Sequence, residues 1–497
     1  MSTQSIDPRT GQVFGPVLAD SDERDVRSTC LEAEHAAPFW ASLPLQRRAE
    51  VMELLADALD AAVSDLVALA DSETALGTGR LTGELARTTF QLRLLAGAAR
   101  TGTYAQQMFD EAVAGAPPEG HPELRRVLVP IGPVAVYAAS NFPFAFSVAG
   151  GDTASALAAG CPVVVKAHPG HPQTSEAVHG LLRGALTAAG VPAGVIGMVR
   201  GFSAGATLIQ DPAIRAAAFT GSRGGGRALF DLASARPEPI PFYGELGSVN
   251  PVVVLASAVS RPDLARDYVD SLLLGAGQFC TNPSVLFVPA GSAVVEEITA
   301  ELSSRPAGVL LHAGVVSALD GAVAKVMGAS GVSVLAGEAG SSAESADASL
   351  SRGPLLLATT AVELAADRTP LEVECFGPAG LLVEYETTVE LRTVLASMEG
   401  ALVGCIFAEA DDPAAPEVIV ALADRVGRLA WNAWPTGVAV SAAQHHGGPW
   451  PSTTNPLYTS VGITAIPRFL RPLVYQSLPE QLIPATWATR ETPNDAV

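Results

Sequence analysis

Residues 162–190 read PVVVKAHPGHPQTSEAVHGLLRGALTAAG and indicate the class of fold. The apolar run PVVVKA is typical of a buried strand, and TSEAVHGLLRGALTAAG carries apolar residues at the three- and four-residue spacing of a helix. The same alternation continues through the apolar runs GVIGMVRG and AAAFTG, each of which a helical segment follows. This pattern predicts βαβ units, and therefore an α/β fold with a parallel, doubly wound sheet.

The segments on either side of this stretch extend the prediction to the rest of the chain. Residues 20–112 have helical apolar spacing, and a Pro/Gly-rich connector follows at 113–125. A second strand–helix alternation begins at NPVVVLASA (250–258) and runs to about residue 440, which predicts a second α/β domain. The tail FLRPLVYQSLPEQLIPATW (469–487) is too apolar for a free end, so we expect it to pair with another subunit.

Length, charge and cysteine usage exclude several classes of function. A chain of 497 residues exceeds the usual size of a single core, and a net charge of −21 argues against nucleic acid or anionic membrane as a partner. The apolar stretch 142–165 is broken by Pro and Gly, so it does not predict a membrane span. The chain has five cysteines, Cys30, Cys161, Cys280, Cys375 and Cys405, an odd number with no C-x-x-C pair. This usage argues against a disulfide framework and predicts a reducing, cytoplasmic location.

Three predicted strands end in polar residues, and ligands bind at the carboxyl ends of strands in open parallel sheets. Asn141 follows VYAAS, and Lys166 and His168 lie in VVVKAHPG. Ser222 and Arg223 follow AAFTG and precede three glycines at the start of a helix, where a phosphate group could bind. The glycine spacing differs from G-x-G-x-x-G, and a tight turn between strand and helix is the alternative interpretation.

Two further residues are candidates for chemistry. Cys280 lies in GAGQFCTNP (275–283), where the helical DLARDYVDSLLL gives way to the strand SVLFVP. It is either a small core residue or a reactive thiol in a turn with little bulk around it. Glu245 lies between apolar segments in PFYGELGSVNP (241–251), and buried carboxylates are uncommon without a partner or a role.

The order of these motifs resembles that of the aldehyde dehydrogenase superfamily. SNFPF, VVVKAHP and FTGSRGGGR come first, and GELGSVNP, GQFCTNP and EVECFGP (372–378) follow, so the resemblance covers essentially the whole chain. It implies an aldehyde dehydrogenase-like α/β fold. A Rossmann-type cofactor domain would comprise 1–112 and 131–247, with part of 441–475, and an α/β catalytic domain would comprise 248–440. The segments 113–130 and 476–497 would serve oligomerisation, as a homodimer or homotetramer.

The resemblance also implies roles for three residues. Cys280 matches the nucleophile that attacks the aldehyde. Asn141 matches the side chain that stabilises the resulting oxyanion, together with the backbone N–H of Cys280. Glu245 matches the glutamate that activates water to hydrolyse the thioester. Because a thiol has an ordinary pKa of about 8.5, the site must favour the thiolate, or proton transfer to Glu245 must generate it.

Other matches concern the cofactor. Glu374 in ECFGP matches the residue that holds the nicotinamide ribose, whereas Glu372 has the wrong offset. The resemblance implies that Phe376 of the same motif also contacts the cofactor. Lys166 matches the lysine at the adenine ribose, and Ser222 belongs to the turn that is predicted to bind phosphate.

The sequence departs from that of NAD-dependent members three positions after Lys166, where they carry a glutamate and this chain has Pro169. No carboxylate at that position would repel a 2′-phosphate. With Lys166, His168 and Arg223 as nearby cations, NADP is the expected cofactor, and NAD is the alternative. The alternative to a cofactor contact is that Arg223 is a solvent-exposed loop residue.

The segment HHGGPWPSTTNPLYTSVG (445–462) replaces the PFGGxKxSG of many members. With GQFCTNP and KAHPGHPQTSE, it resembles the branch that contains α-ketoglutaric semialdehyde (2,5-dioxovalerate) dehydrogenases and an NADP-linked bacterial fatty aldehyde dehydrogenase. The expected substrate is therefore α-ketoglutaric semialdehyde, or alternatively a fatty or other aliphatic aldehyde. Adjacent histidines without nearby carboxylate or cysteine spacing are more often structural, so His445 and His446 predict no metal site.

Three functions are alternatives to aldehyde oxidation with hydrolysis of the thioester. A cysteine hydrolase pairing Cys280 with His445 or His446 would have no use for Glu374 or Lys166. A CoA-acylating relative would typically lack the hydrolytic Glu245. A non-catalytic binding protein would tolerate loss of the catalytic positions, which are all present.

Overall fold

The computed structural model describes residues 2–102, 104–105, 107–338 and 350–484. In these residues the strands are, in chain order, β1 (Ser2–Ile6), β2 (Val13–Ala19), β3 (Met108–Asp110), β4 (Leu124–Pro130), β5 (Val134–Tyr137), β6 (Val163–Lys166), β7 (Ile196–Val199), β8 (Ala216–Thr220), β9 (Phe242–Glu245), β10 (Pro251–Val254), β11 (Val285–Pro289), β12 (Gly308–Val309), β13 (Ser333–Ala336), β14 (Ser351–Arg352), β15 (Leu355–Thr360), β16 (Ala379–Tyr385), β17 (Ala401–Phe407), β18 (Val426–Trp431) and β19 (Leu470–Gln476).

The α-helices of the same residues are α1 (Glu23–Ser42), α2 (Leu45–Ala61), α3 (Val63–Thr74), α4 (Thr78–Thr101), α5 (Gly151–Ala159), α6 (Pro172–Ala188), α7 (Phe202–Gln210), α8 (Arg223–Ser234), α9 (Leu264–Leu273), α10 (Val294–Ser303), α11 (Ala313–Met327), α12 (Ala361–Ala366), α13 (Thr369–Glu372), α14 (Thr388–Ser397) and α15 (Ala415–Ala423). Short 3-10 helices cover Ala193–Val195, Ala256–Ala258, Leu274–Gly277, Ile463–Phe469 and Glu480–Leu482.

A five-stranded sheet in the order β7-β6-β5-β8-β9 forms the first α/β unit, and its neighbouring strands are all parallel. The strands are short apolar runs because helices cover both faces, which leaves no solvent side for polar residues. One face packs on a core that includes Trp40, Phe144 and Phe469, and the other on a core that includes Tyr137 and Phe242. The predicted doubly wound parallel sheet is confirmed.

The strand order of this sheet reverses between β5 and β8. The chain winds from β5 through β6 to β7 on one side, then returns to β8 and β9 on the other. Such a reversal opens a crevice at the carboxyl ends of the two central strands, where ligands bind in α/β proteins. Asn141 follows β5 and Ser222 follows β8, so these two predicted site residues flank the crevice.

A seven-stranded sheet in the order β13-β15-β16-β11-β10-β17-β18 forms the second α/β unit. Its strands are parallel except for β13, which runs antiparallel to β15 at the edge. Buried Leu, Val and Phe side chains cover both faces. The second strand–helix alternation predicted from residue 250 onward is therefore confirmed. Five residues join β9 of the first sheet to β10 of the second, which brings the two units together at Glu245.

A third, antiparallel sheet has the order β19-β4-β3 and joins two distant parts of the chain. The helical pattern predicted over 20–112 extends too far, because α4 ends at Thr101 and Met108–Asp110 is a strand. Part of the predicted connector 113–125 pairs across a turn through Val113 and His121. Of the predicted oligomerisation segment 476–497, residues 485–497 lie outside the described residues.

No helix among the described parts of the chain is both long enough and apolar enough to cross a membrane.

Candidate active site

The turn that carries Cys280 has an unusual backbone. Gly275, Ala276 and Gly277 have φ values of 57°, 55° and 72°, in the left-handed region that favours glycine. A Cβ atom on Gly277 would also collide with the carbonyl oxygen of Gly377, so the turn that follows Glu374 packs directly against the cysteine turn. These glycines allow the two turns to approach each other closely.

Amide side chains hold this turn in place, which explains the Gln and Asn residues around the cysteine. Asn250 Nδ2 donates to the carbonyl oxygens of Cys280 at 2.8 Å and Asn282 at 3.0 Å. Gln278 Oε1 accepts the backbone N–H of Leu311 at 2.9 Å. These contacts hold the backbone around Cys280, whose side chain is half-buried.

Glu245 ends β9 and lies across from this turn. Its backbone carbonyl accepts the Gly221 N–H at 3.1 Å, and the next N–H, that of Leu246, donates to the Ser452 carbonyl at 2.8 Å. The C-terminal segment that contains Ser452 therefore runs alongside the end of β9. The Glu245 carboxylate is only 4% exposed, so its neighbours determine its charge.

His446 lies between the carboxylate and the thiol. Its Nε2 atom is 2.9 Å from Glu245 Oε1 and 3.6 Å from Cys280 Sγ, and its side chain is 3% exposed. The Ser460 hydroxyl donates to the other carboxylate oxygen, Oε2, at 2.7 Å. Cys280, Glu245 and His446 thus form one connected group of side chains.

The same contacts shift the ionisation of the two predicted catalytic groups in opposite directions. Burial alone would raise the pKa of Glu245, but the His446 ring and hydrogen bonds from Ser460 and Cys280 lower it below its ordinary value. Burial raises the pKa of the Cys280 thiol well above its ordinary value, and the Glu245 and Glu374 carboxylates add to the increase. The arrangement favours a carboxylate beside a protonated thiol.

Asn141 lies next to the cysteine turn. Its side-chain Nδ2 donates to the Gln278 carbonyl at 3.0 Å, two residues before Cys280. Its own carbonyl accepts Arg80 Nη2 at 2.6 Å, so α4 holds the backbone of this residue. The structure therefore brings together Asn141, Glu245 and Cys280, the three residues that the resemblance implies are catalytic.

Lys166 and His168 lie at the carboxyl end of β6, as predicted. Burial lowers the pKa of Lys166, and the nearby Asp20 opposes this shift. His168 Nδ1 accepts the Gly170 N–H at 3.0 Å, and its ring lies against those of His171 and His312, with centroids 5.6 and 5.7 Å away. Burial lowers the pKa of His168 well below its ordinary value, so this ring is neutral and does not add a positive charge.

Helix α8 begins in the predicted phosphate-binding turn. Ser222 caps it by accepting the Gly225 N–H at 3.3 Å, and a Cβ atom on Gly224 would meet only open space. Arg223 forms a two-pronged ion pair with Glu399, at 2.6 and 3.0 Å, and its guanidinium lies 5.9 Å from the Trp450 ring centre. The predicted cation at this helix end is thus already paired with a carboxylate.

Glu374 lies over Gly247, where any Cβ atom would collide with its carboxylate. Burial raises the pKa of Glu374 to about 7, and a hydrogen bond from the Ser248 backbone opposes the shift. Phe376 packs half-buried against one core of the seven-stranded sheet. Glu372 is exposed, and its carboxylate lies 3.7 Å from the Arg368 guanidinium.

The sequence predicted only a structural role for His446 and did not reveal its contact with Cys280 and Glu245. A signal existed in the departure of HHGGPWPS from the usual family pattern at this point. The donor atoms of Glu245, Cys280 and His446 all lie within 4.8 Å of one another, so this group also has the composition of a metal site.

A small cavity borders Glu245. Glu245, His446 and Ser460 line one side of it, and a buried ion pair between Asp152 and Arg468, 2.8 Å apart, lines another. Burial raises the pKa of Asp152, and Arg468 opposes this shift. Glu245 therefore borders this cavity as well as the group that contains the thiol.

The fold and this cysteine–glutamate site define a class of enzyme, and comparison with known proteins agrees with it. The aldehyde dehydrogenase family profile matches residues 1–466, and the chain belongs to this family. Alpha-ketoglutaric semialdehyde dehydrogenase 2 of Azospirillum brasilense is 43% identical, covering 97% of this chain and 92% of that protein. Alpha-ketoglutaric semialdehyde dehydrogenase of Acinetobacter baylyi (strain ATCC 33305 / BD413 / ADP1) is 37% identical with the same coverage. The crystal structure of PnpE in complex with nicotinamide adenine dinucleotide has a TM-score of 0.82 at 22% identity, covering 96% of this chain and 94% of that one.

Proposed function

We propose that this aldehyde dehydrogenase oxidises α-ketoglutaric semialdehyde to the corresponding carboxylate, with NADP as the preferred cofactor. The observation that carries the catalytic part of the proposal is the connected group of Cys280, His446 and Glu245, 3.6 and 2.9 Å apart. The identity of 43% over nearly the full chain to a protein named for this substrate supports the choice of aldehyde.

Cys280 is the proposed nucleophile. Its thiol proton must leave before or during attack, because the thiolate is the reactive form. His446 Nε2 lies near enough to accept this proton, and Glu245 Oε1 next to it can hold the imidazolium in place. The sulfur then bonds to the aldehyde carbon, and the carbonyl oxygen becomes an oxyanion.

Asn141 is the proposed oxyanion donor. Its side-chain amide has two N–H groups, one of which donates to the Gln278 carbonyl and fixes the amide beside the cysteine turn. The second N–H, with the backbone N–H of Cys280, supplies the pair of donors that an oxyanion needs. The bound nicotinamide nucleotide supplies the chemistry of hydride acceptance, which leaves a thioester on Cys280.

Glu245 is the proposed base for hydrolysis of this thioester. Its pKa is held below the ordinary value, so the carboxylate is ionised at neutral pH and can take a proton from water. A small cavity that Glu245 and His446 line offers space for this water. Attack by this water releases the carboxylic acid and restores the thiol.

The residues at the sheet crevice fit a nicotinamide nucleotide. The N-terminus of α8 offers free space above Gly224 and the positive end of a helix dipole, which suit a phosphate group. Ser222, Lys166, His168, Glu374 and Phe376 would hold the rest of the cofactor, with Lys166 near the adenine ribose and Glu374 near the nicotinamide ribose. His168 would serve as a neutral hydrogen-bonding group rather than as a cation.

The preference for NADP rests on three residues. Pro169 brings no carboxylate to the region of the 2′-phosphate, and Lys166 supplies one positive charge there. Arg223 supplies a second if the phosphate replaces or joins Glu399 as its partner. NAD use is the alternative within this proposal, because the Arg223–Glu399 pair already satisfies the guanidinium.

Domain roles and assembly are also proposals. Residues 1–112 and 131–247, with part of 441–475, would form the cofactor-binding domain, and 248–440 the catalytic domain. Segments 113–130 and 476–497 would join a homodimer or homotetramer. The described cysteines are free, which supports a reducing, cytoplasmic location.

An aliphatic aldehyde is a second candidate substrate because aromatic side chains surround the cysteine turn. Phe142 contacts Phe146 and Phe279, with ring centres 5.3 Å apart in both cases, and Phe146 lies near the His446 ring. Such a wall suits an apolar chain.

The test is a panel of aldehydes assayed with NAD and with NADP, using α-ketoglutaric semialdehyde, pentanal and a long-chain fatty aldehyde. The highest kcat/KM is expected for the semialdehyde with NADP. A higher value for the fatty aldehyde would favour the second candidate, and no oxidation of any aldehyde would end the proposal.

A further inference from the structure

Two of the donor atoms around the thiol are spaced as a zinc ion requires, and the third lies within reach. His446 Nε2 lies 3.6 Å from Cys280 Sγ and 2.9 Å from Glu245 Oε1. With Zn–S of about 2.3 Å and Zn–N of about 2.0 Å, tetrahedral geometry places sulfur and nitrogen about 3.5 Å apart. The sulfur and nitrogen are therefore near their ligating positions without movement of the backbone.

The three ligands come from separate, well-held segments. Glu245 ends β9, Cys280 follows the amide-braced turn, and the backbone N–H of His446 donates to the Thr459 hydroxyl at 2.8 Å. Ser460 binds only Oε2 of the carboxylate, which leaves Oε1 able to exchange its imidazole contact for a metal. Three protein ligands with an open fourth position are a common zinc arrangement.

We propose that Zn²⁺ binds Cys280 Sγ, His446 Nε2 and Glu245 Oε1 as a reversible inhibitory site. The S–H bond of Cys280 breaks, the Sγ–Zn bond forms, and the proton passes to the buffer. The metal occupies the nucleophile and the base together, so bound zinc blocks both thioester formation and its hydrolysis. This site goes beyond the proposed reaction, which uses no metal.

The test is a zinc titration of the full chain against a chromophoric zinc indicator, with the variants His446→Gln and Glu245→Gln. The natural sequence is expected to bind one zinc per chain, and each variant to bind it at least about tenfold more weakly, because each loses a ligand. Cys375→Ser is the matched control, since Cys375 is another partly exposed thiol, and its affinity is expected to match that of the unchanged chain. Absence of zinc binding, or equal affinity in His446→Gln and the unchanged chain, would overturn the proposal.

A different set of side chains bears on substrate choice. Arg80 and Arg87 lie seven residues apart on α4 and share one face of that helix. The Arg80 guanidinium lies 4.7 Å from the Phe279 ring centre, next to Cys280, and 5.1 Å from the Phe142 ring centre. Arg87 interacts electrostatically with both Cys280 and Glu245. Helix α4 therefore brings two positive charges to the region of the thiol.

Arg87 retains hydrogen-bonding capacity there. Its Nη1 donates to the Val438 carbonyl at 2.6 Å, and its Nε is buried with no partner among the residues that the structure describes. A carboxylate binds a guanidinium through two parallel N–H groups, such as the pair on the Nε edge. The unused edge of Arg87 therefore has the donors that a carboxylate requires.

The charge of the two arginines is only partly offset. Glu84 lies between them on α4, and its Oε1 accepts the backbone N–H groups of Phe144 and Ala145 at 2.8 and 3.0 Å. Burial raises the pKa of Glu84 to about 7, so its carboxyl group is only partly ionised near neutral pH. Glu245 also interacts electrostatically with Arg87, so the donors of the two guanidinium groups, rather than a net positive charge of the site, are what favour an anionic ligand here.

We infer that Arg87, supported by Arg80, binds the carboxylate of a short aldehyde substrate whose aldehyde lies at the other end of the chain. This inference rests on the proposed aldehyde oxidation and names the substrate class as ω-oxocarboxylates. It places the carboxylate at the α4 side of the site and the aldehyde carbon at Cys280.

The test compares 5-oxopentanoate with pentanal, which share a chain length and differ in the carboxylate. Arg87→Gln is expected to lower the ratio of their kcat/KM values by about ten- to a hundredfold, the effect of one charge-assisted hydrogen-bonded contact. Arg87→Lys should recover part of the ratio and serves if the glutamine variant does not fold. Arg93→Gln is the matched control, because Arg93 lies on the same helix and pairs with Asp57 and Asp60 at the surface.

An unchanged ratio in both Arg87 variants, including one in which both substrates lose activity equally, would overturn this assignment. If the unchanged chain oxidises pentanal at least as well as 5-oxopentanoate, the substrate class is wrong while the aldehyde oxidation stands. If it oxidises neither compound nor any other aldehyde, the proposed function itself fails.

Discussion

The half-buried Cys280 thiol lies among groups that disfavour its thiolate, and the imidazole that contacts it also contacts a carboxylate. Burial, Glu245 and Glu374 all raise the pKa of the thiol. The free enzyme therefore holds a protonated thiol at neutral pH, and activation depends on transfer of the proton to a neighbouring group. His446 is placed for this transfer, since its Nε2 contacts both side chains.

Alkylation of the cofactor-free protein by iodoacetamide tests this ionisation. A raised pKa means that the thiolate fraction keeps growing with pH beyond about 8.5, the ordinary value for a thiol. The rate at Cys280, followed by peptide mass spectrometry, is expected to increase through about pH 9 without levelling. A plateau below about pH 8 would contradict the thiol environment described here.

His446→Gln tests the coupling to Glu245. The His446 ring lowers the pKa of Glu245, so its removal raises that pKa. On acidification Glu245 then becomes protonated at a higher pH than in the unchanged chain. The acidic limb of the plot of kcat against pH should therefore shift to higher pH. Ser460→Ala is a matched comparison, because it removes a hydrogen bond to the same carboxylate and should shift the limb in the same direction. A limb that does not move in either variant would show that another group limits the acidic side.

At the scale of elements, the cysteine turn depends on glycine. Gly277 has a left-handed φ of 72°, and a side chain there would collide with the Gly377 carbonyl. Gly277→Ala is expected to lower the free energy of unfolding by at least about 1–2 kcal/mol, the cost of a left-handed backbone, and to reduce kcat by displacing Cys280. Gly321→Ala in α11 meets open space and should instead stabilise the protein by about 0.5–1 kcal/mol. Equal effects of both substitutions in thermal unfolding would refute the role of the turn.

In the proposed function, Arg223 at the N-terminus of α8 contributes to the preference for NADP over NAD. Arg223→Ala is expected to raise KM for NADP by about ten- to a hundredfold and KM for NAD much less, because only NADP carries the 2′-phosphate. Glu399→Gln is the complementary change. It frees the guanidinium from its carboxylate partner and should lower KM for NADP. If Arg223→Ala weakens both cofactors equally, the arginine binds a part that they share.

Strand β4 lies in the proposed oligomerisation segment 113–130, and β19, which pairs with it, ends at the start of the segment 476–497. At the scale of the whole molecule, we therefore extend the proposed assembly surface to the antiparallel sheet of β19, β4 and β3. Val474 on β19 is 50% exposed, an unusual position for a valine in the middle of a strand. Val474→Asp is expected to shift the oligomer toward smaller species in light scattering after size exclusion. Val420→Asp on α15, where valine is 67% exposed, is the control and should leave the mass unchanged. An unchanged mass for both would place the interface elsewhere.

The two parallel sheets could be predicted from the sequence because their strands are continuous apolar runs between helices. The β1–β2 pair and β3 could not: β1 is polar, the apolar residues of β2 are interrupted by Gly15 and Pro16 and are mostly exposed, and β3 has only three residues. Asn141, Glu245 and Cys280 were identified through motifs whose order matches the family. The contact of His446 with Cys280 spans 166 residues and that of Arg223 with Glu399 spans 176, so no local pattern revealed either.

The central claim is that oxidation proceeds through a thioester on Cys280 that Glu245 hydrolyses. The most direct measurement is mass spectrometry of the Glu245→Gln variant, quenched in acid within seconds of mixing with aldehyde and NADP. An acyl adduct is expected on the peptide that contains Cys280, formed together with a burst of reduced cofactor. Reduced cofactor produced at the full rate with no adduct on Cys280 would contradict it.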